Sequence, residues 1–223
     1  SIVAFCYIMM TCFLDKTARR DKCQSAGGPP AFPTEMFIPR RIFLCMGKIV
    51  RMDASSAFKD SLPTTPETLM AQLDAAGITY THHSHPPLRT VEDSKEYRDC
   101  MPGTHVKNLF LRDRKKRNFL VITHEDRAVD LKSLQVDIAA DRLSFGSPDR
   151  LFEFLGVRPG AVSLFTLFND TSHQVQLVLD SSLLKADRIY FHPLVNDLTL
   201  GVTPNKIHAF LSITGHQPKI ITL

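Results

Sequence analysis

From residue 65 onward the chain alternates short apolar runs with turn residues, and the period of those runs keeps changing. Leu69, Leu73 and Ala76 fall at helical spacing. They lie between Thr65-Pro66-Glu67, a cap with a helix-starting proline, and the stop Gly77. Residues 78–82 alternate as a strand, which Pro86-Pro87 ends. Thr90-Val91-Glu92-Asp93 has the form of a capping box and opens a second short helix, closing near Met101-Pro102-Gly103. A hairpin follows, with strands over 106–112 and 119–123 and a turn over 113–117. Asp130 caps a helix over 131–138, 142–145 reads as a short strand, and Ser147-Pro148-Asp149 starts a helix that Gly156 ends.

The C-terminal third continues in the same manner. Residues 161–168 form an apolar run expected to be a buried strand, and 175–179 a strand ending at Asp180. A short helix over 181–185 precedes strands at 189–192 and 198–202. Thr203-Pro204 opens a helix through Leu211, and 217–222 is the last strand. About eight short strands and about six short helices predict an α+β fold. The expectation is a single compact domain over residues 60–223, with a mixed, curved, barrel-like sheet and short helices around it. The hairpin argues against a purely parallel sheet.

Residues 1–51 have a different character. The apolar run 1–14 is shorter than the ~20 residues of a membrane span, and it lacks the basic stretch that precedes a signal peptide's apolar core. Charged residues, Gly27-Gly28-Pro29-Pro30 and Pro33 follow with no regular period. This stretch is expected to be disordered, or outside the domain, with Met52 as the working start.

Charge divides along the same boundary. Of the 27 basic and 23 acidic residues, the first 51 positions hold eight and three, a balance of +5; the remainder balances at −1. The body is therefore no general nucleic-acid-coating surface, and any RNA contact must come from a local patch. One such patch is the hairpin tip, where Arg112, Arg114, Lys115, Lys116 and Arg117 crowd together. Four of the five cysteines lie in the first 51 residues and only Cys100 in the body, which suits a reducing compartment, here the cytoplasm.

Chemistry is sparse. No phosphate-binding glycine loop, GxSxG, HExxH or EF-hand pattern occurs. His82, His83 and His85 lack a completing acid or cysteine, so no metal site and no cofactor is expected. Cys100 reads as structural. Lys107, Asn108, Asp180 and His192 remain, each following or interrupting an apolar run, where side chains can converge on a pocket. Alternation sends Lys107 and Asn108 to opposite faces of one strand.

The body resembles the YbaK/prolyl-tRNA-synthetase-associated editing family, and within it the freestanding alanyl-tRNA(Pro) deacylases. The resemblance runs from about Thr65 to Leu223. It is carried by Thr90-Val91-Glu92, the stretch 103–111 with Lys107-Asn108, Phe119-Leu120-Val121, and the stretch from Leu155-Gly156 to Val162-Ser163. Asn169-Asp170, Leu179-Asp180 and Phe191-His192-Pro193-Leu194-Val195-Asn196 complete it.

What the resemblance implies is hydrolysis of the ester joining alanine to tRNA(Pro). Water attacks with help from the terminal 2′-hydroxyl, and the protein positions the groups. Lys107 would grip the terminal adenosine or its phosphate, Asn108 would bind the substrate beside it, and His192 would shape the pocket. Gly160, Ala161, Val162 and Ser163 match the family's glycine loop, whose amides can face the scissile carbonyl; Leu164 stands where that loop often has proline. Asp180 is a weaker substrate-binding candidate, equally suited to capping the helix that starts at Ser181. The implied partners are mischarged tRNA(Pro) and prolyl-tRNA synthetase, with no membrane. Two alternatives stand beside this reading: a cysteinyl-tRNA(Pro) deacylase, and a non-catalytic tRNA- or synthetase-binding module.

Overall fold

The structure is a computed structural model that describes residues 60–87, 97 and 100–223. The expectations for residues 1–51 and for the helix opened by Thr90 lie outside the described residues.

Local sequence signals account for most of the elements. Helix α1 (Pro66–Ala75) is capped by the Thr65 side chain, which accepts from the Thr68 amide at 3.2 Å. Strand β1 (Thr81–Ser84) follows. The hairpin is β2 (Thr104–Arg112) and β3 (Asn118–His124). Helix α2 (Leu131–Asp137) begins under Asp130, whose carboxylate accepts from the Lys132 and Ser133 amides. The two-residue strand β4 (Ser144–Phe145) leads to α3 (Pro148–Leu155), capped by Ser147 and closed by Gly156 at φ 66°. Strands β5 (Val175–Asp180), β6 (Ile189–Phe191) and β7 (Leu198–Val202), helix α4 (Pro204–Thr214) and strand β8 (Lys219–Ile221) complete the order.

One expected strand is absent. Residues 161–163 are irregular and Leu164–Phe168 is a tight 3-10 turn. Ser163 caps it, accepting from the Phe165 amide at 3.2 Å, while the Thr166 hydroxyl donates to the Ser163 carbonyl at 2.6 Å. Those two hydroxyls satisfy the backbone locally, which a ladder would otherwise have to do. The run is apolar because it is buried on all sides.

The strands form one mixed sheet in the order β1-β7-β6-β2-β3-β5-β8, with β4 on the far end of β2. Pairing is parallel for β2–β6, β3–β5 and β5–β8, and antiparallel for β1–β7, β6–β7, β2–β3 and β2–β4. Central strand β2 meets β6 only at Thr104 and His105, and β4 only at Leu111 and Arg112. Among the described residues, positions 106–109 on that edge have no strand neighbour.

The two faces differ. One packs Phe110, Leu120, Ile122, Leu177, Leu179, Phe191 and Leu200 against α1, α3 and α4 in the main core. On the other, Leu111, Phe119, Val121 and Val178 pack against Leu134 and Ile138 in a smaller core under α2. Helix α2 covers only part of this second face. Strand alternation and register put His105, Lys107, Thr123, Asp180, Tyr190 and Thr199 on the same side, beyond it.

Candidate active site

Lys107 lies opposite Thr123 across the β2–β3 pair. The Thr123 hydroxyl, fully buried, donates to Asp180 Oδ2 on neighbouring β5 at 2.7 Å. The Arg127 guanidinium stands 3.8 Å from the same carboxylate oxygen, and the Lys107 ammonium donates to the Arg127 backbone carbonyl. Lys107 and Asp180 thus belong to one cluster, joined through Thr123 and Arg127. Burial would raise the Asp180 pKa, but hydrogen bonds from Thr123 and Ser182 and the Arg127 charge outweigh it. The carboxyl is held below its ordinary range. Asp180 also caps the turn Ser181–Lys185, accepting from the Ser182 amide at 3.0 Å. Its capping role and its place beside Lys107 coexist.

Asn108 points to the opposite face, as alternation requires. Its Oδ1 is buried and accepts no hydrogen bond within the protein. An unpaired buried acceptor costs about 1–3 kcal/mol, so a ligand donor that reached it would recover that amount.

His192 follows directly after β6. Its Nδ1 lies 2.7 Å from the Leu198 carbonyl oxygen. A carbonyl can only accept, so Nδ1 carries the proton and Nε2 is left with a lone pair. Burial, together with nearby His85 and His105, lowers its pKa to about 4, against the opposing pull of the Leu198 carbonyl. At neutral pH the ring is an uncharged acceptor.

The 160–163 loop reaches the same histidine from behind. Ser163 Oγ donates to the His192 carbonyl at 2.6 Å and caps the 3-10 turn, so its hydroxyl is spent on holding the fold. The Ala161 amide donates to the Arg158 carbonyl at 3.2 Å. Gly160 adopts φ +96°, and a side chain there would project toward Asn196 Nδ2 at 3.6 Å. Val162 is part-buried against the main core.

The hairpin tip divides into two sets. Arg117 clamps Asp113 through its side chain at 2.7 Å and donates to the Ala139 carbonyl, and Arg112 donates to Asn118 Oδ1. Arg114, Lys115 and Lys116 are exposed. Cys100 is disulfide-bonded, so it is not the free structural thiol the sequence suggests. Among the described residues no group of three His, Cys, Asp or Glu side chains is placed to hold a metal ion. Among them, too, no helix is long and apolar enough to cross a membrane.

Thr123, Arg127 and Thr199 complete the site but escape the sequence reading, and they are joined by His85, which stood there only as one of three clustered histidines. Thr123 could have been found by carrying the hairpin register back from the turn to Lys107. Nothing local ties His85 to Thr199; they meet across the β1–β7 edge, where His85 Nε2 and Thr199 Oγ1 are 2.7 Å apart.

One half-face of the mixed sheet in this α+β domain gathers a lysine, a buried carboxylate and imidazoles. The particular class follows from comparison: residues 85–210 match the model of the aminoacyl-tRNA editing domain, and the chain belongs to that family. It is thereby an aminoacyl-tRNA deacylase, an ester hydrolase. Among its relatives is the prolyl-tRNA editing protein ProX of Acetoanaerobium sticklandii, 35% identical over 158 residues, covering 70% of this chain and 96% of that one. The prolyl-tRNA synthetase associated domain-containing protein 1 of Xenopus laevis is 38% identical over 160 residues, covering 70% and 95%. A crystal structure of a candidate trans-editing enzyme for prolyl-tRNA synthetase has the same fold. It has a TM-score of 0.55 and 19% identity, and the match covers 71% of this chain and 96% of that one.

Proposed function

We propose that this chain is a cytoplasmic trans-editing hydrolase that removes alanine from mischarged tRNA(Pro). The relatives named for prolyl-tRNA editing support the tRNA. The observation that carries the chemistry is a neutral His192, an acceptor at Nε2, close enough to feel the charge of His105, which shares a strand and a face with Lys107. In the proposed reaction the oxygen of water attacks the ester carbonyl carbon. The bond to the terminal ribose oxygen breaks, and a proton passes to that oxygen, releasing alanine and intact tRNA. The neighbouring 2′-hydroxyl of the ribose assists the attack.

Each residue has a defined part. Lys107 binds the terminal adenosine or its phosphate as a point charge. Asn108 receives a donor from the substrate. His192 accepts a hydrogen bond at the aminoacyl end. Developing negative charge falls to amides of the Gly160 loop; with the Ala161 amide committed to Arg158, the donors are those of Gly160, Val162 and Ser163. Asp180 holds Arg127 and, through it, the Lys107 ammonium. Exposed Arg114, Lys115 and Lys116 meet the acceptor stem. Prolyl-tRNA synthetase, the source of the error, is a further partner.

The test is deacylation of alanyl-, cysteinyl- and prolyl-tRNA(Pro) by the full chain and by Lys107→Ala. Loss of alanine alone, with the variant slowed by about 100-fold or more, supports the proposal. Cysteine-selective loss would assign the cysteinyl activity instead. Tight tRNA binding with no hydrolysis of any ester would make the chain a binding module.

A further inference from the structure

The tautomer that the Leu198 carbonyl gives His192 is backed by two residues outside the proposed substrate contacts. His85 Nδ1 lies 2.9 Å from the Pro86 carbonyl oxygen, so this nitrogen carries the proton and Nε2 is the acceptor. The Thr199 hydroxyl, 2.7 Å from that Nε2, must therefore donate to it. With its proton committed, Thr199 Oγ1 can only accept on its other side, where His192 Nδ1 stands at 3.3 Å. The His85 and His192 rings are 5.8 Å apart, and both His85 and Thr199 are buried. The protons run in one direction: His192 Nδ1–H to Thr199 and Leu198, Thr199 O–H to His85, His85 Nδ1–H to Pro86.

We propose that Thr199 and His85 are positioning residues that reinforce the Leu198 carbonyl in holding His192 in the tautomer with a free Nε2, and so keep it an acceptor at the substrate end. A His85 protonated on Nε2 would donate to Thr199, whose hydroxyl would then donate to His192 Nδ1. That donation would compete with the Leu198 carbonyl for Nδ1; where it won, Nε2 of His192 would carry the proton and could no longer accept. Burial lowers the pKa of His85, as it does that of His192, which favours the neutral forms that the arrangement requires. Thr199 is a β7 residue with its side chain on the polar half-face, a position where a hydroxyl has no packing advantage over valine.

This inference rests on His192 serving the editing reaction, but its first test does not. The imidazole nitrogen spectrum of the 15N-labelled full chain at pH 7 reads the tautomer directly. The wild type is expected to show His192 with Nδ1 protonated and Nε2 bare; the opposite tautomer would overturn the proposal without any variant. Thr199→Val is expected to move the two His192 nitrogen shifts toward each other, as a mixed tautomer does, and Thr199→Ser to restore them. His85→Phe should produce the same mixing and serves if Thr199→Val does not fold. Unchanged shifts in the folded variants would overturn the proposal. In alanyl-tRNA(Pro) hydrolysis, Thr199→Val and His85→Phe should lower kcat about tenfold, with KM within about twofold and serine rescuing at position 199. A wild type with the locked tautomer but no hydrolysis would sink the editing reading and leave the lock standing. Hydrolysis with unaffected variants would do the reverse.

Discussion

Replacing Thr123 with valine tests the electrostatic frame under Lys107. The two side chains have nearly the same shape, so the change removes one hydroxyl from a fully buried position. The lost bond is the 2.7 Å contact to Asp180 Oδ2, and Asp180 is itself fully buried. A hydrogen bond to a charged group contributes about 1.5–3 kcal/mol. The Ser182 amide on Oδ1 and the Arg127 guanidinium at 3.8 Å remain, so the carboxylate keeps part of its support. We expect a loss of about 2 kcal/mol at pH 7, or about 1 M in the urea midpoint for a slope of about 2 kcal/mol/M. The pH dependence has a definite sign. The folded pKa of Asp180 is depressed, so its contribution is present above the unfolded pKa and is lost as pH falls through the folded one. Removing the hydroxyl weakens that depression. The gap between wild type and variant should be full at pH 7 and shrink as pH falls through the depressed pKa of the carboxyl. Urea unfolding at several pH values measures both. A gap below about 0.5 kcal/mol at pH 7, or one that stays constant through acid unfolding, would refute the reasoning.

Three further outcomes are expected. Asn108→Leu removes a buried acceptor that has no partner, so its melting temperature should stay level or rise while alanyl-tRNA(Pro) deacylation is lost; a clear fall in melting temperature would count against the unpaired state. His192, with a pKa lowered to about 4, should make stability fall as pH drops from about 6.5 toward 4, by on the order of 3 kcal/mol. His192→Gln should flatten that slope in urea titrations, and an unchanged slope would contradict the assignment. Gly156→Ala should cost about 2 kcal/mol or more. Its φ is +66°, and a side chain there would stand 2.5 Å from Pro63 Cγ and 2.6 Å from Asn169 Nδ2. Thermal unfolding is the check.

What the sequence disclosed was what chemistry decides within a few residues. Thr65, Asp130 and Ser147 each cap the helix that their spacing predicts, and Gly156 stops one. Lys107 and His192 were visible as polar residues breaking apolar runs. The run 161–168 was misread because a fully buried segment has no polar side to set its period; only Ser163 and Thr166 distinguish turn from strand. The rest of the site was hidden for a different reason. Thr123 meets Asp180 across 57 positions and His85 meets Thr199 across 114, and no local pattern encodes a partner so far away.

Those separations have a consequence for the chain while it is being made. His85, Lys107 and Thr123 leave the ribosome long before Asp180, His192 and Thr199. Parallel pairing of β5 with β3 and of β6 with β2 cannot begin until the later strands exist. The polar half-face thus closes only once β5, β6 and β7 have been made, and slow, long-range pairing of this kind leaves the early strands exposed in the meantime. An unfinished copy has no site at all. A protein proposed to strip amino acids from tRNA thus has no assembled esterase until the ribosome has passed Thr199.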